Sequence, residues 1–129
     1  LEFYGKNLGL TFQIADDTLD YNSDLKFFGK KIGKDFLEGK ITLPIILLFQ
    51  RVTSIEKEKL KNIFKQEIRS DDDLKFTLDL IKKYNIINEC YKKAEHFINL
   101  ASNSLTVFKD SDEKKILENL TSFSLERTF

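Results

Sequence analysis

The chain has 129 residues, enough for one domain or for part of a larger one. Its 21 basic and 21 acidic side chains give a formal net charge of zero, which argues against a nucleic-acid-binding protein. No apolar run approaches the roughly 20 residues of a membrane-spanning helix. The single cysteine, Cys90, excludes an internal disulfide and favours a reducing compartment, so a cytoplasmic protein without a signal peptide is expected.

The hydrophobic pattern predicts helices almost throughout, and no segment shows the sustained alternation of a β-strand. A first helix is predicted over about residues 2–22, and a polar loop over about residues 22–41. Thr42-Leu43-Pro44 begins an apolar helix that reaches about Arg51, because proline is tolerated in the first helical turn.

Capping signals begin the next two helices. Thr53, with Glu56 three residues later, predicts a capping box at the start of one helix. Ser70 followed by Asp71–Asp73 predicts the start of another. Acids at a helix start interact favourably with the positive end of the helix dipole, so this acidic cluster is interpreted as a cap rather than a metal site.

The last third of the chain is predicted to form two amphipathic helices. Apolar residues three and four apart from Ile87 to Phe108 predict one long helix, in which Cys90 is a packing residue. A final helix is expected from about residue 112 to about residue 124. It is expected to bury four apolar side chains, Ile116, Leu117, Leu120 and Phe123. The predicted fold is therefore all-α, with about six helices.

The end of the first predicted helix is the most informative segment. Residues three and four apart share a helix face, which places four oxygen-bearing side chains in one stripe, Gln13, Asp16, Asp17 and Asp20. A second, apolar face is predicted from Leu8, Phe12, Ala15 and Leu19. Carboxylates that face a protein interior repel one another and are costly to desolvate, so the stripe indicates a bound cation. Oxygen ligands favour Mg²⁺ or a similar ion.

Two other interpretations of these acids are weaker. Asp20, Asn22 and Asp24 have the spacing that begins a calcium-binding EF-hand loop. However, Leu25 stands where that loop needs glycine, and Lys31 stands where it needs a bidentate glutamate. A solvated helix end with chance acids would have mixed rather than apolar flanks.

Glycines stand beside lysines in the polar loop that follows the stripe. Gly29-Lys30, Gly33-Lys34 and Gly39-Lys40 put flexible backbone next to cations, a combination that suits a polyphosphate. The spacing is not that of a Walker loop. Acids that hold a divalent ion, followed by these lysines, together predict a diphosphate site.

The segment Phe12–Asp20 resembles the second aspartate-rich motif of trans-polyprenyl diphosphate synthases, in which Phe-Gln precedes an Asp-Asp pair and a third aspartate. The spacing onward through Gly33–Asp35 to Gly39–Pro44 is similar to the same family. Tyr21 and the Glu38-Gly39-Lys40 form resemble its long-chain, octaprenyl-type branch. The rest of the chain resembles the family's C-terminal helices in pattern only.

The resemblance implies an isoprenoid-synthase helical bundle, of which this chain is expected to be the C-terminal part. It implies that Asp16, Asp17 and Asp20 hold Mg²⁺ against an allylic diphosphate. Three further side chains would contact that diphosphate, Gln13, Lys30 and Lys40. The resemblance also implies isopentenyl diphosphate as the second substrate and a homodimer in the full-length enzyme. No catalytic nucleophile is expected, because metals and lysines stabilise the departing diphosphate.

The chain contains no methionine and begins in a helical pattern, so it is expected to be a fragment of a longer chain. The resemblance then implies that the family's first aspartate-rich motif lies upstream of Leu1. This chain alone is therefore expected to have little or no synthase activity. The leading hypothesis is part of a long-chain prenyltransferase that supplies quinone side chains. A non-catalytic partner subunit of a heteromeric synthase is the alternative, which the intact acids and lysines disfavour. A terpene cyclase shares the metal chemistry but fits the lysine–glycine loop poorly.

Overall fold

The computed structural model describes residues 1–22 and 32–128, and side chains as far as residue 123. Every regular element in these ranges is a helix, so the predicted all-α class is confirmed. The chain divides into two compact units, which we call the terminal unit, Leu1–Asp16 with Tyr91–Phe129, and the central unit, Asp17–Cys90. Among the described helices, none has the length and apolar character needed to cross a membrane.

Seven α-helices follow one another in the described residues. They are α1 (Glu2–Leu19), α2 (Lys34–Leu37), α3 (Leu43–Arg51), α4 (Ser54–Lys65), α5 (Asp71–Lys83), α6 (Ile86–Ser104) and α7 (Asp112–Thr128). The short helix α2 lies inside the predicted loop, and the last residues of the predicted long helix form a separate 3-10 turn, Leu105–Val107.

The central unit has a closely packed apolar core. Its fully buried side chains include Phe36, Ile45, Leu48, Leu60 and Ile81. The ring of Phe36 meets the ring of Phe64 edge to face, with 5.4 Å between their centroids. Burial of such side chains is the main source of stability in a domain of this kind. Phe36 thereby anchors α2, which lies beside the candidate site, in this core.

The predicted capping box at Thr53 is present, and the predicted cap at Ser70 is also a capping box. Thr53 Oγ1 accepts a hydrogen bond from the Glu56 N–H at 3.3 Å, and Glu56 Oε1 accepts one from the Thr53 N–H at 2.9 Å. Ser70 and Asp73 form the same reciprocal pair at 3.1 and 3.0 Å. The acids at the start of α5 therefore include a working cap, as the sequence predicted.

The buried face of α1 matches the predicted one in part. Leu8 is buried as predicted, and Ala15 and Leu19 are partly buried, whereas Phe12, expected in the core, is 40% exposed. The other buried side chains are Tyr4, Asn7, Thr11, Ile14 and Thr18. Thr11 Oγ1 donates to the Asn7 carbonyl at 3.0 Å, and Asn7 Nδ2 donates to the Phe3 carbonyl at 2.8 Å. Because these bonds to the preceding turn satisfy the polar groups, small polar side chains can occupy a core position.

The expected burial of α7 is wrong for three of its four apolar side chains. Ile116, Leu120 and Phe123 are 64%, 41% and 57% exposed. Only Leu117 packs against the cluster that Tyr4 forms with neighbouring apolar residues in the terminal unit. The Tyr4 hydroxyl donates to the Leu117 carbonyl at 2.8 Å and is hydrogen-bonded to Thr121 Oγ1 at 2.9 Å. These two contacts, one turn apart, fix which face of α7 is buried.

Candidate functional site

Within the described residues, the acidic stripe on α1 is shielded from solvent only in part. Gln13 and Asp16 are exposed, and Asp17 and Asp20 are partly buried. The expectation that the carboxylates point inward is therefore wrong for Asp16, the first of the three. The physical reason is that Asn7, Thr11 and the other buried residues occupy the core-facing side of α1, which leaves Gln13 and Asp16 on the solvent side.

Asp20 lies one residue beyond the end of α1 and joins it to the start of α2. Its Oδ1 accepts a hydrogen bond from the Lys34 N–H at 3.1 Å, and its Oδ2 accepts one from the Asp35 N–H at 2.8 Å. Its main-chain carbonyl accepts a third from the Gly33 N–H at 2.8 Å. The first N–H groups of a helix have no partner inside the helix, so a carboxylate at this position acts as a cap from a distant part of the chain.

The two glycines that the structure describes in the lysine-rich segment have positive φ. Gly33 has φ of +84°, and a Cβ on it would lie 2.6 Å from Leu74 Cδ1. Gly39 has φ of +76°, and a Cβ on it would lie 2.6 Å from Arg69 Nη2. Side-chain-bearing residues rarely adopt this backbone conformation. Both positions therefore need glycine for the backbone turns and close contacts around α2.

Of the two lysines predicted to bind diphosphate, Lys40 is described by the structure and Lys30 is not. Lys30, with Gly29 and Lys31, lies outside the described residues. The Lys40 side chain is 60% exposed, with Nζ 3.1 Å from Glu38 Oε2 and 3.8 Å from Asp35 Oδ1. The hydrogen bond that Lys40 donates to Glu38, and then the charges of Glu38 and Asp35, raise the pKa of Lys40. Lys40 is therefore a cation held at the surface directly after α2.

Arg69 is a residue of this region that the sequence analysis missed. It is only 8% exposed, yet its guanidinium bonds backbone carbonyls rather than a carboxylate. Nε donates to the Phe36 carbonyl at 2.9 Å, and Nη1 donates to the Gln66 carbonyl at 2.6 Å. Further bonds from Nη1 reach the last turn of α4. The one available signal was that Arg69 is an arginine in a chain whose basic residues are nearly all lysine.

Tyr21 lies beneath the acids. It is 1% exposed, and its hydroxyl has no hydrogen-bond partner among the residues that the structure describes. Burial, and then the charges of Asp20, Asp35 and Asp17, raise the pKa of Tyr21 well above its ordinary value. Tyr21 is therefore a neutral phenol in the core directly behind the carboxylates.

The donors of this region suit a hard divalent cation, although the described part of the chain does not form a complete metal site. In residues 1–22 and 32–123, no three carboxylate, imidazole or thiol side chains come together as a metal-binding group. Mg²⁺ is commonly held by one or two carboxylates together with phosphate oxygens and waters. The carboxylates of α1 fit that kind of shared coordination, in which a bound diphosphate supplies the remaining ligands.

The segment from α1 to α5 matches a known family. Residues 1–81 match the polyprenyl synthetase family, so the chain belongs to that family. It is 32% identical to chloroplastic solanesyl-diphosphate synthase 2 of Oryza sativa subsp. japonica, an alignment that covers 96% of this chain and 30% of the relative. It is 31% identical to the geranyl-diphosphate-specific all-trans-nonaprenyl-diphosphate synthase of Rhodobacter capsulatus, in an alignment that covers 98% of this chain and 38% of the relative. It is 34% identical to the short chain isoprenyl diphosphate synthase of Methanocaldococcus jannaschii, covering 100% and 38%.

Solved structures show the same fold. The chain superposes on the polyprenyl synthase of Caulobacter crescentus, solved with calcium and isoprenyl diphosphate, with a TM-score of 0.81 and 33% identity over 98% of this chain. It superposes on a decaprenyl diphosphate synthase from Rhodobacter capsulatus with a TM-score of 0.80 and 28% identity over 97%. In these alignments the chain covers 38% and 37% of the solved chains, a little over a third of their length.

Proposed function

We propose that this chain is the diphosphate-binding part of a long-chain polyprenyl diphosphate synthase. The enzyme would condense isopentenyl diphosphate with an allylic polyprenyl diphosphate. The observation that carries the proposal is the junction at Asp20, where the aspartate-rich end of α1 is hydrogen-bonded to the segment that carries Lys34 and Lys40. In a chain that belongs to the polyprenyl synthetase family, this junction brings metal-binding and diphosphate-binding residue types together.

The proposed roles divide between carboxylates and cations. Asp16, Asp17 and Asp20 would hold Mg²⁺, which, when bound, would offset the negative charge of the departing diphosphate. A carboxylate oxygen can accept more than one interaction, so capping and metal binding by Asp20 are compatible. The diphosphate itself would be contacted by Gln13, Lys30 and Lys40. Lys40 would exchange its exposed contact with Glu38 for diphosphate oxygens, since a diphosphate is the stronger anionic partner.

The complete site is proposed to need more than this chain. The named relatives are about three times as long as the part that this chain matches, because the alignments cover 30% and 38% of them. The solved Caulobacter relative was crystallised with calcium and isoprenyl diphosphate, which supports a divalent cation and a diphosphate in this family's sites. We propose that the chain alone has little or no synthase activity and that the full-length enzyme is a homodimer.

The proposed product is a long prenyl chain for quinone side chains. Relatives of similar identity include solanesyl, nonaprenyl and short chain synthases. Tyr21, directly after the last aspartate, and the Glu38-Gly39-Lys40 sequence favour the long-chain branch. The second candidate, a non-catalytic partner subunit, is less well supported because such a subunit has no need of the Asp16, Asp17 and Asp20 carboxylates.

A chimera tests the proposed function. This chain replaces the matching 38% of the Rhodobacter capsulatus nonaprenyl synthase, and incorporation of isopentenyl diphosphate is measured as Mg²⁺ is varied. We expect Mg²⁺-dependent elongation, and a loss of about 100-fold or more in Asp16→Ala, because the metal would lose a ligand. Asp79→Ala, which removes an exposed carboxylate from α5, is the matched control and should leave the rate unchanged. Full activity in Asp16→Ala would favour the partner subunit, and an inactive parent chimera would refute the synthase proposal.

A further inference from the structure

We propose that Asp20 and Arg69 are positioning residues, which hold the segment Gly33–Lys40 at its two ends and thereby set the position of Lys40. The inference deepens the proposed function and rests on it, since Lys40 is there a diphosphate contact. It concerns the roles of Asp20 and Arg69 toward the backbone, which are separate from any role of Asp20 toward a metal. Three steps in the hydrogen-bond pattern carry it.

The first step is the attachment at the start of the segment. Asp20 uses both carboxylate oxygens and its carbonyl to hold three consecutive backbone N–H groups, those of Gly33, Lys34 and Asp35. Helix α2 has only four residues, too few to be stable through its own hydrogen bonds. The residue before α2 is Gly33, which has no side chain with which to cap it. Asp20 therefore provides the fixed point from which α2 starts.

The second step is the attachment at the end of the segment. The Phe36 carbonyl accepts two hydrogen bonds, one from Arg69 Nε at 2.9 Å and one from the Gly39 N–H at 3.0 Å. Gly39 leaves room for the guanidinium, because a Cβ there would lie 2.6 Å from Nη2. Arg69 in turn is held by the Gln66 carbonyl at 2.6 Å. The end of α2 is thereby fastened to the end of α4.

The third step links both attachments to Lys40. The Lys40 N–H donates to the Asp35 carbonyl at 2.9 Å, and the N–H of that same Asp35 is held by Asp20. Lys40 also directly follows Gly39, whose N–H shares the Phe36 carbonyl with Arg69. The backbone of Lys40 is thus linked to both attachments, to one through its hydrogen bond with Asp35 and to the other through its peptide bond with Gly39. Arg69 is buried, so we expect it to act on a bound diphosphate through this segment rather than by direct contact.

Amide hydrogen exchange in the 129-residue chain tests the positioning role without any enzyme assay. Asp20→Ala should speed exchange by at least about tenfold at the Lys34 and Asp35 amides, and Arg69→Gln should do so at the Gly39 and Lys40 amides. Ile81→Val, a buried change in α5, is the control and should leave these four amides unchanged. Unchanged exchange at all four amides in folded Asp20→Ala and Arg69→Gln would overturn the proposal.

Steady-state kinetics in the chimera tests the consequence for the substrate. Arg69→Gln should raise the KM for the allylic diphosphate about tenfold, because displaced binding groups lose much of their effect. The KM for isopentenyl diphosphate and the Mg²⁺ concentration for half-maximal rate should stay within about twofold, since Arg69 contacts neither in the proposed scheme. Asp20→Asn, which keeps one acceptor oxygen, should raise the allylic KM less than Asp20→Ala does.

If Arg69→Gln does not fold, Gly39→Ala provides a second test of the link to Lys40. Gly39→Ala places a methyl group against Arg69 Nη2 and strains a φ of +76°, so it should raise the same KM selectively. An equal rise in both KM values, or no rise in folded Arg69→Gln and Gly39→Ala, would overturn the link to Lys40. An inactive parent chimera would instead count against the proposed function, while the exchange result would still decide the positioning role.

Discussion

Buried polar side chains in this protein are satisfied mainly by backbone groups. Arg69 donates to carbonyls at the ends of α2 and α4, and Thr11 donates to the Asn7 carbonyl and, at 3.3 Å, to the Ala94 carbonyl. A buried polar group without a partner costs about 1–3 kcal/mol. A substitution that removes the donor or the acceptor of one of these bonds should therefore destabilise the fold by about that amount. Burial therefore makes the hydrogen bonds of Arg69 and Thr11 important for stability.

Cys90 gives a prediction about reactivity. Its side chain is fully buried, and burial is the main reason that its pKa is raised to about 11. At pH 8 only about one thiol in a thousand would then be the reactive thiolate, compared with roughly a quarter for an ordinary cysteine. We expect the folded chain to react with a disulfide reagent at least about 100-fold more slowly than the urea-unfolded chain. Equal rates in the two states would show that the thiol is accessible.

Glu56 connects two helices, α4 and α5. Besides its place in the α4 capping box, this carboxylate accepts hydrogen bonds from Lys83 Nζ at 2.9 Å and from the Tyr84 hydroxyl at the end of α5. The bond from Tyr84, followed by those from Thr53 and Lys83, lowers the pKa of Glu56 to about 2. One side chain therefore joins the start of α4 to the end of α5 within the central unit.

The pH dependence of stability follows from that shift. Because the pKa of Glu56 is lower in the folded chain than its ordinary value of 4.5, the group stabilises the fold fully above that value. This contribution is lost as the pH falls from about 4.5 to about 2, where the folded carboxylate is protonated as well. We expect Glu56→Gln to lower the melting temperature at pH 7, measured by circular dichroism. The melting temperature of this variant should also decrease less than that of the parent chain between pH 5 and pH 2. Glu58→Gln, a 72% exposed carboxylate on the same helix, is the control and should leave the pH profile unchanged.

Local sequence signals predicted the elements better than the faces that they bury. The boxes at Thr53 and Ser70 depend on residues three positions apart, so the sequence contains the whole interaction. The cap from Asp20 to Lys34 spans 14 residues, and α2 was therefore missed inside a predicted loop. The buried side of α1 was predicted in part: Leu8 is buried, but Thr11, a polar residue, takes a core position whereas Phe12 is exposed.

At the scale of the whole molecule, the family and the fold class were both within reach of the sequence. The spacing of Gln13, Asp16, Asp17 and Asp20 is a local pattern, and the family match over residues 1–81 includes it. The position of Arg69 was not predictable in the same way, because its partners lie at the ends of two helices that only the tertiary fold brings together. The site roles of the acids and lysines stay predictions until the chimera is tested.

The exposed face of α7 is expected to make the chain self-associate. Ile116, Leu120 and Phe123 are four and three residues apart, so they share one helix face, and they are 64%, 41% and 57% exposed. A contiguous apolar face of this kind favours association, because contact with a second apolar surface removes it from water. We expect sedimentation velocity to show association that increases with protein concentration.

The variants that test this interpretation change one exposed apolar side chain at a time. Ile116→Ser should weaken association about tenfold, as removal of roughly 1.4 kcal/mol of apolar contact predicts. Ile55→Ser is the matched control, since Ile55 is 84% exposed at the start of α4 in the central unit. If both variants associate as the parent chain does, the exposed face of α7 is not the contact. If only Ile55→Ser reduces association, the contact lies in the central unit instead.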